Sequence, residues 1–198
     1  MQQYGDESFI HAMARIESEE QDNTVPNDIK NGYIVIRDEN IPFSEREIIE
    51  GRLYMAIPSD YMLMPPELAR VKYPSENRPD IIFSDEEGSI SINFSLTGDK
   101  LQNEDIEDAK DYLQDVVLKM KPSSKILSSE IIEEETRIGY FDFISPAIDG
   151  DIYNLMFIFS LDGQFILGTF NCMDMDKAQW LEIAGQMLRS IRIIEGNI

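Results

Sequence analysis

Tyr153-Asn-Leu-Met-Phe-Ile-Phe-Ser-Leu-Asp-Gly-Gln-Phe-Ile-Leu-Gly-Thr-Phe-Asn171 is the stretch that decides the architecture. Tyr153, Leu155, Phe157, Phe159 and Leu161 fall on one face of an extended strand, while Met156 and Ile158 put apolar side chains on the other. Successive strand residues point to opposite faces, so a strand that is apolar on both is central and covered on both sides. Asp162-Gly163 follows at once. A two-residue type I′ turn needs positive φ at both central positions, which glycine adopts freely and aspartate tolerates. The spacing predicts a tight antiparallel hairpin, with Gln164 opening the return strand and helices on both faces of the sheet.

Downstream, Asp174 is the expected cap of a final helix whose buried stripe is Ala178, Leu181, Ala184, Leu188 and Ile191, with Arg189 and Arg192 near its negative end. Upstream, residues 126–132 and 136–144 read as two strands parted by the acidic turn Glu133-Glu-Glu135. Before them, Ile106, Ala109, Leu113, Val116, Val117 and Met120 recur at helical spacing, with Asn103 as the expected N-cap and Pro122 as the stop. Ile90, Ile92, Phe94 and Leu96 alternate with Ser89, Ser91, Asn93, Ser95 and Thr97, so residues 80–97 read as a hairpin with one face on a core and the other on water or a polar layer. Residues 33–37 and 52–57 are further strand candidates. The sum is an α+β domain: an antiparallel sheet of six or seven strands with helices packed on both faces, an α/β/α sandwich.

Two units are expected along the chain. Residues 1–32 form an acidic leader in which Phe9, Ile10, Met13 and Ile16 offer one short amphipathic stripe, and residues 33–198 form the single α+β domain. A chain of 198 residues is long enough to remove roughly 70% of its unfolded surface from water. Its 38 acidic residues against 17 basic ones give a formal net charge of −21, which repels phosphate and weighs against nucleic acid and anionic membranes. Membrane insertion is not expected either, since no run approaches the roughly 20 apolar residues of a span. The polar start, without a basic and apolar leader, and the single cysteine, Cys172, suggest a cytoplasmic protein.

Residues 58–79 hold five of the nine prolines together with Tyr61-Met-Leu-Met64. This reads as a rigid, irregular excursion, neither strand nor flexible linker, with a short helix after Pro66. An excursion of 22 residues that displays Tyr61, Met62, Met64, Tyr73 and Arg78 is the candidate partner-binding surface. The competing reading is that its apolar groups cap one end of the sheet. Arg78 would grip a partner carboxylate with two hydrogen bonds or lock its own loop by the same geometry.

Three strings resemble the PsbP/Mog1/DcrB-like group. Leu53-Tyr-Met-Ala-Ile-Pro-Ser-Asp-Tyr61 is similar to its opening strand, Phe157 to Phe170 to its late hairpin, and Trp180 to Ile194, with Met187-Leu-Arg-Ser-Ile-Arg-Ile193, to its terminal helix. Residues 64–79 also look like a string in uncharacterised proteins of Gram-positive gut bacteria. The resemblance covers roughly residues 50–194. It implies an α/β/α sandwich on an antiparallel sheet and binding to other proteins rather than catalysis, with no shared catalytic residues to carry over.

Motifs for chemistry are sparse. His11 is the sole histidine and sits in the leader, so a Ser-His-Asp or Cys-His device lacks a rigidly held base. One Cys and one His do not make a zinc site, and Asp149-Gly-Asp151 and Asp174-Met-Asp176 lack the glycine and glutamate spacing of a calcium loop. No phosphate-binding glycine motif or nucleophile elbow occurs, so no catalytic residue, metal ligand or cofactor is expected. Cys172 reads as a small buried hydrophobe, or less favourably as a thiolate at a helix start. The expected function is non-catalytic binding of another protein, as an adaptor or chaperone; the alternative is a small-ligand binder or a hydrolase built on paired carboxylates.

Overall fold

The computed structural model describes residues 27–75 and 78–194. The stripe from Phe9 to Ile16 and His11 lie outside the described residues. In chain order the elements are β1 (Tyr33–Ile36), β2 (Glu39–Ile49), β3 (Leu53–Pro58), β4 (Met62–Leu63), α1 (Pro66–Lys72), β5 (Ile81–Ser84) and β6 (Ser91–Lys100). There follow α2 (Ile106–Met120), β7 (Lys125–Glu133), β8 (Arg137–Ser145), β9 (Ile152–Leu161), β10 (Gln164–Met173), α3 (Lys177–Arg189) and β11 (Arg192–Ile193).

The α+β architecture stands, with strands in two sheets instead of one. A seven-stranded antiparallel sheet runs β4-β5-β6-β10-β9-β8-β7, and a four-stranded sheet runs β1-β2-β3-β11. The deciding hairpin lies in the middle of the large sheet: Leu161 pairs with Gln164, and Asp162 and Gly163 have φ of 51° and 78°. The strand that closes the small sheet is the Ile193 segment, paired with Leu53 at the far end of the chain.

β2 escaped the sequence reading because it does not look like a strand. Glu39-Asn-Ile-Pro-Phe-Ser-Glu-Arg-Glu-Ile-Ile49 is mostly polar, contains a proline and buries only Phe43 and Ile48. The turn before it, Arg37-Asp38, has positive φ at both residues but no glycine, so the usual hairpin signal is missing. An ion pair from Arg37 to Asp176 holds that turn.

One face of the large sheet packs on the small sheet and α3, making a single core with Phe94, Phe157, Phe159, Leu53, Met55 and Ile57 at its centre. Trp180 docks α3 by lying 5.8 Å from Phe170, ring to ring. The buried stripe of this helix is Trp180, Ile183, Ala184, Met187 and Leu188; Ala184, Leu188 and the following Ile191 are buried as expected, while Ala178 and Leu181 are exposed. A 3-10 turn at Asp174–Asp176 precedes α3, and Asp174 makes no capping hydrogen bond. Asn103 likewise does not cap α2; it opens the 3-10 turn Asn103–Asp105. The opposite face of the large sheet is covered over β8 and β9 by α2, whose Ile106 is fully buried with Leu101 and Ile158. Residues 27–32 pack with the domain: the Gln186 amide bonds Asn27 O and Ile29 N, and Ile29 is buried.

The outer strands differ. β7 carries Lys125, Glu130 and Glu133 and has a bulge between Ile126 and Ser128, features that blunt an edge. β4 is two residues long, uncharged and exposed.

Candidate interaction surface

Residues 58–79 are more regular than expected, since β4 adds a strand to the sheet edge. Met62 pairs with Ser84, Leu63 with Phe83, and the Met64 amide donates to Ile82 O at 2.8 Å. No strand covers the other side of β4 among the described residues. Pro65 and Pro66 then end the strand and open α1, where a missing amide hydrogen leaves no bond unmade.

Helix α1 rests on buried Ala69 and half-buried Tyr73, four residues apart on one side. Leu68 and Val71, three apart, share the opposite side. Met62, Leu63, Leu68 and Val71 are 70%, 59%, 59% and 80% exposed, so ten residues of chain present four large apolar side chains to water. Leu63, Leu68 and Val71 were not singled out from sequence, because Leu and Val at helical or strand spacing read as core.

The five expected contact residues separate. Met62 is at the surface and Met64 is half-buried. Tyr61 is a core residue, 4% exposed, that anchors the excursion from beneath. Its hydroxyl is buried without a hydrogen-bond partner, and burial, with Asp85 and Asp60 nearby, pushes its ionisation far above the usual tyrosine range. Tyr73 faces Ser91, hydroxyl to hydroxyl at 3.4 Å, with the Lys72 ammonium 5.7 Å from its ring centre. Arg78 is half-buried and forms no ion pair or hydrogen bond among the described residues.

Beside α1 lies a cleft of about 370 Å³, walled by Tyr73 and floored by Ser91, Asn154 and Asn171. The floor continues as a row of three amides on three strands that ends on a serine of a fourth. Asn93 Nδ2 donates to Asn171 Oδ1 at 3.1 Å, Asn171 Nδ2 to Asn154 Oδ1 at 2.7 Å, and Asn154 Nδ2 to Ser145 Oγ at 3.0 Å. This is the polar layer under the alternating strand β6, and Ser91 and Asn93 are buried in it. The interruption of three apolar strands by asparagine is a sequence signal that was available and unused.

Cys172 sits in the core. Burial, helped by the Asp176 and Asp174 charges, pushes its thiol up to about 12. Tyr140 is pushed up to about 12 by burial and its bond to Glu130, and Tyr153 higher still by burial beside Asp142. In the unfolded chain the thiol ionises near ~8.5 and phenols near ~10. Their contribution to stability is therefore complete below about pH 8.5 and declines as pH rises toward 12. The urea midpoint is expected to hold to about that pH and then fall, while a thiol-specific reagent leaves native Cys172 unmodified; a midpoint unchanged through pH 11 would contradict the burial.

Among the described residues no cluster of three or more His, Cys, Asp or Glu is placed to hold a metal, and no helix is long and apolar enough to cross a membrane. No family model matches the chain, and no curated protein matches it. The solution structure of cyanobacterial PsbP (CyanoP) from Synechocystis sp. PCC 6803 is similar in fold, with TM-score 0.57 at 11% identity over 77% of this chain and 92% of that one. A Bacteroides thetaiotaomicron VPI-5482 crystal structure gives TM-score 0.49 at 11% identity, over 72% of this chain and 45% of that one. LpqN, involved in cell envelope biogenesis of Mycobacterium tuberculosis, gives 0.48 at 15% identity, over 86% and 100%. The likeness to PsbP is one of fold, and it agrees with the resemblance in the three strings.

Proposed function

We propose that this domain is a non-catalytic module that binds another polypeptide, as an adaptor or chaperone, through β4 and α1. The observation that carries the reading is the exposure of Met62, Leu63, Leu68 and Val71 around an unpaired sheet edge. Large apolar side chains gathered at one sheet edge are costly to leave in water, and an open edge offers backbone hydrogen bonds to an added strand. Arg78 stands at the same excursion with its guanidinium unengaged among the described residues and supplies a grip for a partner carboxylate. The net charge of −21 favours a partner with a basic rim. A cytoplasmic setting belongs to the same proposal, supported by a lone, buried cysteine.

A carboxylate-based hydrolase finds less support. The cleft that gathers Asp28, Glu134 and Glu182 also holds Lys30 and Arg189 and has no aromatic wall. Fold alone does not decide between these readings, so the surface must.

Affinity capture from the native host tests the proposal. Wild-type protein is expected to retain a defined protein that Met62→Asp/Val71→Asp loses and Arg78→Ala retains poorly. Both apolar positions are exposed, so the double variant should keep its stability within about 0.5 kcal/mol. Identical capture by wild type and the double variant would sink the proposal.

A further inference from the structure

We infer that the cleft between Tyr73 and the asparagine row is a binding site for a neutral saccharide. The inference is independent of the β4–α1 surface and uses different residues.

The first ground is the cost of the row. α2 covers its half of the sheet by packing Ile106 and Leu113 on Ile158, Phe165 and Leu167 of the strands, an ordinary apolar packing. The adjoining half of the same face instead carries Ser91, Asn93 and Asn154, each at least nine-tenths buried. Buried amides stabilise less than apolar packing unless every donor and acceptor is matched. Here the match is incomplete. All three amides donate in one direction, from β6 through β10 and β9 to β8, and the head of the row, Asn93 Oδ1, which lies behind the lining of the cleft, is buried with no partner. Local rules are broken without structural gain mainly where function requires it.

The second ground is the chemistry of the lining. No Asp or Glu lines this cleft, although the chain holds 38 of them. Its one charge, the Lys72 ammonium, is taken up by the Gly88 carbonyl and the Tyr73 ring. An ionic ligand would find no free counter-charge. What remains is neutral: the Asn154 and Asn171 amides, bonded to each other, the Ser91 and Tyr73 hydroxyls, facing each other at 3.4 Å, and the Ser89 hydroxyl, which donates to Asp85, beside the apolar walls of Ile152 and Met173. A sugar ring has the same two aspects: hydroxyls that donate and accept around its rim, and C–H faces that pack on aromatic and aliphatic walls. The volume of about 370 Å³ lies in the range of small-ligand pockets, ~300–1,000 Å³.

The test is saturation-transfer NMR on the full chain with methyl β-glucopyranoside, methyl α-mannopyranoside, methyl β-galactopyranoside and glucuronate, together with amide shift mapping. Transfer to at least one neutral glycoside is expected, with shifts at residues 72–73, 88–91, 152–154 and 171–173. Tyr73→Ala and Asn171→Leu should each weaken that binding by about tenfold or more, while Met62→Asp/Val71→Asp leaves it unchanged. A soluble glucan, mannan or galactan in a second arm distinguishes a free sugar from one carried on a polymer, and binding of either supports the assignment. No transfer to any neutral glycoside or polymer, shifts that map elsewhere, or glucuronate bound as well as the neutral sugars would overturn it. The shift map on wild-type protein decides the matter even if a variant fails to fold.

Discussion

Gly168→Ala is expected to destabilise the domain by about 3 kcal/mol, at the upper end of what overpacking costs. A Cβ at this position would stand 2.1 Å from Cζ of Phe157 and 2.3 Å and 2.7 Å from its Cε atoms. Gly168 lies directly opposite Phe157 in the β9–β10 ladder, so the ring fills the space that a side chain on residue 168 would occupy. The ring cannot retreat. Phe94 meets it edge-on at 5.8 Å, Phe159 lies parallel at 6.4 Å, and it is fully buried. Shrinking the obstruction should relieve the clash, so Gly168→Ala combined with Phe157→Leu should cost less than the sum of the two single changes. Urea unfolding of the four proteins of this cycle measures it. A midpoint for Gly168→Ala within the scatter of surface variants would refute the described packing.

Asp142→Ala is expected to cost about 3 kcal/mol by a different route, the stranding of buried donors. Asp142 is 3% exposed, yet it is fully used: Oδ1 accepts from the Ser128 amide at 2.7 Å and its hydroxyl at 2.6 Å, and Oδ2 accepts from the Tyr153 hydroxyl at 3.0 Å. Removing the carboxylate leaves three donors facing one another in the interior. Asp142→Asn keeps an acceptor for Ser128 and presents an amide to a Tyr153 oxygen able to accept, so it should cost only about 1 kcal/mol. Equal losses for the two variants would mean that volume, not hydrogen bonding, is what the site needs. This acid is committed to joining β7, β8 and β9, which removes it from the stock of free carboxylates a hydrolase would require.

What the sequence made legible follows from how locally each feature is encoded. The Asp162-Gly163 hairpin and the covered strand β9 are written in contiguous periodicity and survive intact in the fold, whereas the α2 stripe fully buries only Ile106 and leaves Met120 at the surface. β2 and the second sheet are not. Their strand character comes from pairing rather than pattern: β2 lies between β1, reached by a turn without glycine, and β3, the distant β11 closes the sheet, and Glu-Arg-Glu at residues 45–47 satisfies a solvent face. The α3 stripe was read correctly at Ala184, Leu188 and Ile191, whereas Trp180, Ile183 and Met187, rather than Ala178 and Leu181, complete the buried face. The partner surface was legible as a segment but not residue by residue. Prolines mark where the chain leaves the sheet, whereas the sorting of Tyr61 inward and Val71 outward depends on which side of α1 meets the sheet. The asparagine row was visible as three letters and invisible as a row, since Asn93, Asn154 and Asn171 become neighbours only through strand order.

The two margins of the large sheet are unlike, one guarded by charge and a bulge along β7 and the other left bare at β4. A visiting chain that joins by backbone pairing finds one berth, not two, and a second copy of this domain arriving at β7 meets Lys125, Glu130 and Glu133. By the same rule, edge-to-edge addition of further copies at the β7 margin of this sheet is disfavoured.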